Sequence, residues 1–159
     1  MQTKRKWLIP LILILLITIT LYGETYVLIM GVGDYRNDGI IPLPAAIEDA
    51  ERIKTAIIEL GIAKEQNIRY IKNPVKTDIE IELEELLKKG DKDDRLIVYF
   101  AGHSEAGINE AGKKDTYLCG VDVRKDHLQR TAYNFRQDFE RIAADLQAKE
   151  TIMIFDTCY

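Results

Sequence analysis

The sequence predicts an α/β fold, a mostly parallel central sheet with helices on both faces. Three observations carry that prediction. Short apolar runs alternate with stretches whose apolar residues recur at three-to-four spacing. The runs are continuously apolar, as in strands covered on both sides. Two of them, Leu96 to Phe100 and Thr151 to Phe155, are followed within three residues by His103 and Cys158. In such sheets ligands bind beyond the carboxyl ends of the strands.

Each element follows from local pattern. Tyr26 to Met30 is a short apolar run before a glycine turn and reads as a buried strand. Ala46 to Leu60 reads as a helix, with Ile47, Ala50, Ile53, Ile57 and Leu60 on one face and Gly61 as its stop. Asn67 to Ile71 is a second strand. Thr77-Asp78-Ile79-Glu80 has the form of a capping box, in which a hydroxyl and a carboxylate each satisfy a free N–H at a helix start. Ile79, Leu83, Leu86 and Leu87 form that helix's apolar face, and Gly90 ends it. Arg95 to Phe100 is the third strand. Gly102 to Thr116 reads as a loop, rich in Gly, Asn and Glu, and Tyr117 to Val121 as a further strand. Asn134 suits the cap of a helix carrying Phe135, Phe139, Ile142 and Leu146, and Thr151 to Phe155 is the last strand.

A chain of 159 residues fits one domain. Residues 1–23 read as a leader: Lys4, Arg5 and Lys6 form a basic start, and Trp7 to Tyr22 is almost wholly apolar. A cleaved export signal is the first reading and an uncleaved membrane anchor the alternative. The expected location is therefore periplasmic, secreted or held at the membrane by that segment. The leader holds three basic residues and no acid, so 19 basic residues face 26 acidic ones in the remainder, a balance of −7. That balance argues against nucleic acid as a partner, which calls for a basic face.

His103 and Cys158 lie 55 positions apart, so only the fold brings them together. A thiolate is the nucleophilic form of cysteine, and an adjacent imidazole can take the thiol proton and later give it to a leaving amine. The chain has one other cysteine, Cys119. In an exported protein a Cys119–Cys158 disulfide is the structural alternative, and it would leave no nucleophile. Other chemistries find little support. Gly31-Val32-Gly33 follows a strand, but Arg36 stands where a dinucleotide fingerprint needs its third glycine. The only histidines are His103 and His127 and there is no Cys-x-x-Cys, so no metal site is expected. The acidic runs Glu80 to Glu85 and Asp91 to Asp94 read as a solvated helix face and loop.

Val98-Tyr99-Phe100-Ala101-Gly102-His103, followed later by Ile154-Phe155-Asp156-Thr157-Cys158, resembles the caspase-like cysteine peptidases, especially the metacaspases and paracaspases. Val27 to Tyr35 looks like their first strand and turn, Leu43 to Ala50 the start of their first helix, and Tyr117 to Asp122 the stretch after their catalytic loop. The likeness covers about residues 25–159. It implies a caspase-like sandwich, with 24–159 the amino-terminal portion of the catalytic domain and its carboxyl-terminal part missing, since the family continues past the cysteine.

The resemblance implies roles as well. His103 matches the catalytic histidine and Cys158 the nucleophile, with the backbone N–H groups of Ser104 and Cys158 as oxyanion donors. Ser104 stands where the family usually has glycine. Asp49 and Asp156 match positions lining the pocket for the residue before the scissile bond, and two acids there favour Arg or Lys. The expected activity is a cysteine-type endopeptidase cutting protein or peptide substrates after a basic residue. The alternative is an inactive caspase-like scaffold or truncated remnant. No cofactor is expected; some metacaspases depend on calcium, but no calcium ligands are assigned here.

Overall fold

The structure is a computed structural model that describes residues 23–37, 39–144 and 146–158, with the backbone alone at Cys158. The elements run β1 Thr25–Gly31, α1 Pro44–Glu59, β2 Ile68–Lys72, α2 Lys76–Lys89 and β3 Arg95–Ile108. They continue with β4 Lys114–Leu118, α3 Leu128–Thr131, β5 Tyr133–Asn134, α4 Phe135–Ala143 and β6 Glu150–Cys158. The leader, except for Gly23, lies outside the described residues. No described helix is long and apolar enough to cross a membrane.

Four strands form the parallel part of the sheet in the order β2-β1-β3-β6. β3 is the pivot of the sheet. Its first part pairs with β1 and β6, and its continuation, Ser104 to Ile108, pairs antiparallel with β4, which in turn pairs with β5. The residues from Leu96 to Ala101 are buried almost completely because helices cover both faces. α1 lays Ala50 and Ile57 on Val27, Ile29, Ile97, Tyr99 and Ala101. On the opposite face, Ile79, Leu83, Leu86 and Leu87 of α2 and Phe135, Phe139 and Ile142 of α4 pack on Leu28, Met30, Leu96, Val98 and Phe100. Ile79 has no exposed surface, and burial of such a side chain is worth about 1.5–3 kcal/mol.

The helix ends show why the chain turns where it does. After α1, Gly61 takes φ +63°. Its N–H bonds Ile58 O at 3.0 Å while Ile62 N–H bonds Ile57 O at 3.0 Å. This paired closure needs a left-handed residue, which glycine supplies without a Cβ clash. At α4, the Asn134 side chain accepts from Gln137 N–H at 3.0 Å, the expected cap.

Several boundaries differ from the sequence reading. α1 begins two residues earlier, at Pro44, whose fixed φ and missing N–H suit a first helical turn. The capping interaction at α2 is also shifted: Val75 is the N-cap and the Asp78 carboxylate accepts its N–H at 3.0 Å, so Thr77 and Glu80 are not the pair. The expected loop from Gly102 to Thr116 is mostly a β-hairpin, its arms in register from Ser104↔Leu118 to Ile108↔Lys114. An antiparallel arm with a solvated side accommodates the polar residues that read as loop. β6 likewise runs past Phe155 through Cys158. His103 and Cys158 therefore lie within strands, just beyond the apolar portion of each.

Candidate active site

The parallel ladder between β3 and β6 starts at Arg95↔Glu150 and runs without interruption to His103↔Cys158. The histidine and cysteine, 55 positions apart in sequence, are thus brought to neighbouring positions on adjacent strands, which lie about 4.8 Å apart in a sheet. Gly102↔Thr157 and Ala101↔Asp156 occupy the preceding rungs.

The loop after β1 wraps over this strand end and holds His103 at three points. The Tyr35 hydroxyl accepts the His103 backbone N–H at 2.7 Å. The Tyr35 ring lies against the imidazole, with centroids 4.9 Å apart and planes inclined by 45°. His103 Nε2 sits 2.8 Å from the Ile41 carbonyl oxygen. A carbonyl only accepts, so Nε2 carries the proton and Nδ1 is the basic nitrogen of the ring. The backbone of His103 is tied too, its carbonyl accepting Cys119 N–H at 3.1 Å. Gly102 makes the approach of Tyr35 feasible: a Cβ there would stand 3.0 Å from the tyrosine oxygen and 3.2 Å from the Val32 Cβ.

The loop itself is anchored by Asn73, which has φ +55°. Its side-chain oxygen accepts from Gly33 N–H at 2.8 Å and Asp34 N–H at 3.1 Å, and its amide donates to the Asp34 carboxylate at 2.7 Å. Asn tolerates the left-handed conformation better than most residues, because its short side chain can bond locally. The latch joins the ends of β1 and β2 and so fixes where Tyr35 begins its reach.

Ser104 follows His103 and is buried, 1% exposed. Its hydroxyl donates to Thr157 Oγ1 at 3.2 Å, linking the histidine strand to the residue before Cys158. Asp49 on α1 and Asp156 on β6 line one cleft of about 200 Å³, together with Leu43, Ala46, Gly102 and Thr157. Its charged lining residues, among those described, are both acids. Asp49 also accepts from the exposed Arg52 guanidinium at 3.2 Å, one turn along the helix. Asp156 accepts from the Tyr99 hydroxyl at 3.0 Å. Burial foremost, and then that carboxylate, push the Tyr99 phenol well above its usual range, so it stays a proton donor.

The two cysteines part company here. Cys119 is free and 1% exposed, and burial, reinforced by the Glu105 charge, pushes its thiol up to about 12. A thiol so shifted is protonated at neutral pH and is no nucleophile.

The structure thus brings together His103, Ser104, Cys158, Asp49 and Asp156, the five residues singled out from sequence. Sequence reasoning missed Tyr35, Tyr99 and the Ile41 carbonyl. Tyr99 did leave a signal: its hydroxyl interrupts an apolar strand, and a buried tyrosine hydroxyl needs a partner. The Ile41 carbonyl left none, because any backbone can supply that group. A separate cleft of about 230 Å³ between β2 and α2 contains Arg69 and Glu82, whose charges pair at 2.6 Å. None of the five residues lines it.

A family model described as the caspase domain matches residues 24–159. Among solved structures, protein GSU0716 from Geobacter sulfurreducens is similar in fold, with a TM-score of 0.65 at 14% sequence identity. That similarity covers 86% of this chain and 51% of the other, so this chain spans about half the length of that neighbour. A search of curated proteins found no match.

Proposed function

The chain belongs to the caspase-domain family, and from that premise we propose that it is a cysteine endopeptidase cutting after arginine or lysine. The observation that supports this most directly is the pairing of His103 with Cys158 across adjacent strands. In this reading, His103 Nδ1 takes the proton of the Cys158 thiol. The thiolate attacks the scissile carbonyl carbon and a C–S bond forms as the carbonyl π pair moves to oxygen. The backbone N–H groups of Ser104 and Cys158 are the proposed donors to that oxyanion. Collapse of the intermediate breaks the C–N bond, and the imidazolium gives its proton to the leaving amine. Water, deprotonated by the same imidazole, then hydrolyses the thioester and restores the thiol. The chemistry needs no cofactor.

The Asp49–Asp156 cleft supports a basic residue before the scissile bond, since two carboxylates can meet a guanidinium or ammonium by charge-assisted hydrogen bonds. The basic, apolar leader supports action outside the cytoplasm or at the membrane. One observation favours the alternative, a caspase-like scaffold without catalysis. β6 exposes Ile152 and Ile154, alternate residues on one face, at 36% and 45%, an apolar surface suited to a protein partner.

A panel of fluorogenic peptides carrying Arg, Lys, Leu or Asp before the reporter tests the proposal. The expected result is hydrolysis of the Arg and Lys peptides alone, lost in Cys158→Ala. Hydrolysis of the Asp peptide in preference would overturn the basic pocket. Silence toward the whole panel would favour the scaffold.

A further inference from the structure

Tyr99 is the residue that the reaction scheme leaves unused. It sits on β3 beneath the acidic cleft, 4% exposed, and its one polar atom points to Asp156. We propose that Tyr99 is a specificity-positioning residue: its hydroxyl tethers the Asp156 carboxylate so that the cleft prefers arginine over lysine. The inference rests on the basic-residue pocket proposed above.

The argument is geometric. The Tyr99 hydroxyl donates to Asp156 Oδ2 at 3.0 Å, which restrains the carboxylate and leaves Oδ1 for a ligand. Asp49 supplies a second acceptor from the other side of the cleft, on α1. A guanidinium is planar and presents its donors in fixed directions, so it gains from acceptors held in place. An ammonium group has three rotatable donors and makes weaker directional demands. An anchored Asp156 therefore favours arginine, while a swinging one would serve both cations alike. The anchor is itself held firmly, because Tyr99 lies in the core cluster under α1, against Ile29 and Ala101. Its phenol stays protonated, since burial and the neighbouring carboxylate both oppose its ionisation.

The test measures binding rather than turnover. Peptide amides ending in Arg or Lys are titrated calorimetrically into the full chain carrying Cys158→Ala, with and without Tyr99→Phe. The parent is expected to prefer the Arg peptide. Tyr99→Phe is expected to weaken Arg binding by about three- to tenfold, the size of one hydrogen bond, and Lys binding by less than about twofold. Equal losses for both peptides, or no loss, with the parent still preferring Arg, would overturn the tether and leave the basic pocket standing. A parent that binds neither peptide would overturn the pocket and the tether together. Asp156→Glu is the second variant, in case Tyr99→Phe melts far below the parent. It moves an exposed carboxylate one methylene away from the intact Tyr99, and the same loss of Arg preference is expected; a fully retained preference would contradict the tether.

Discussion

The Tyr35 hydroxyl accepts the backbone N–H of His103 at 2.7 Å while its ring rests against the imidazole. One side chain thus constrains both the main chain and the ring of the proposed base. It reaches there from the loop after β1, 68 residues earlier in the chain. The Ile41 carbonyl, from the same loop, then selects the Nε2-protonated form of the ring.

Tyr35→Phe should keep the ring contact and lose the hydrogen bond. The expected cost is about 1 kcal/mol of stability, the net value of one such bond. Turnover of an Arg peptide should fall by roughly fivefold or more, because a loosened base spends less time in productive geometry. Thermal melts and steady-state rates on the same preparation check both effects.

Cys119 makes stability depend on alkaline pH in a defined direction. Its folded thiol is raised from 9 to about 12, so between those values the folded state holds a proton that the unfolded state has released. Stability from this group is therefore fully present below about pH 9 and falls as pH rises toward 12, by about 1.4 kcal/mol per pH unit. The buried phenols of Tyr99 and Tyr133 are also raised and act in the same direction. Urea unfolding of the parent and of Cys119→Ala under reducing conditions at pH 8 and pH 10 separates the thiol from the phenols. Cys119→Ala should lose less than the parent between the two, by about 1 kcal/mol.

Asn134→Ala should remove the cap of α4 at a cost of about 1 kcal/mol. α4 carries Phe135, which meets Phe155 of β6 edge-on with centroids 4.6 Å apart. Fraying at the cap should therefore spread to β6. Faster amide exchange at Met153 and Phe155 in the variant, with β1 amides unchanged, is the expected pattern.

Much of this arrangement was legible from residues alone, and the exceptions have physical causes. β1, the first part of β3, α1 and α2 announce themselves because burial on both faces demands continuous apolar runs and a helical stripe demands three-to-four spacing; β2 and the core of β6 show through their apolar residues, although these are only half-buried or exposed. Cys158 and His103 stood out because each follows such a run. Their register did not, since it depends on where β6 begins beside Arg95, a pairing 55 residues away in sequence. The β3–β4 hairpin was hidden by its composition: Glu105 and Lys114 read as loop, although an arm with one wet side tolerates them. Tyr35 and the Ile41 carbonyl were invisible because a loop's reach is set by anchors elsewhere, here Asn73.

The pairing of His103 with Cys158 as a catalytic unit is tested most directly by intact-mass and peptide-mapping analysis after treatment with an irreversible peptide ketone bearing Arg before its warhead. Wild type, Cys158→Ala, His103→Ala and Cys119→Ala are treated side by side. The expected result is a single adduct on Cys158, absent in Cys158→Ala, formed at least about a hundredfold more slowly in His103→Ala, and unchanged in Cys119→Ala. An adduct on Cys119, or labelling of Cys158 at the wild-type rate without His103, would contradict it.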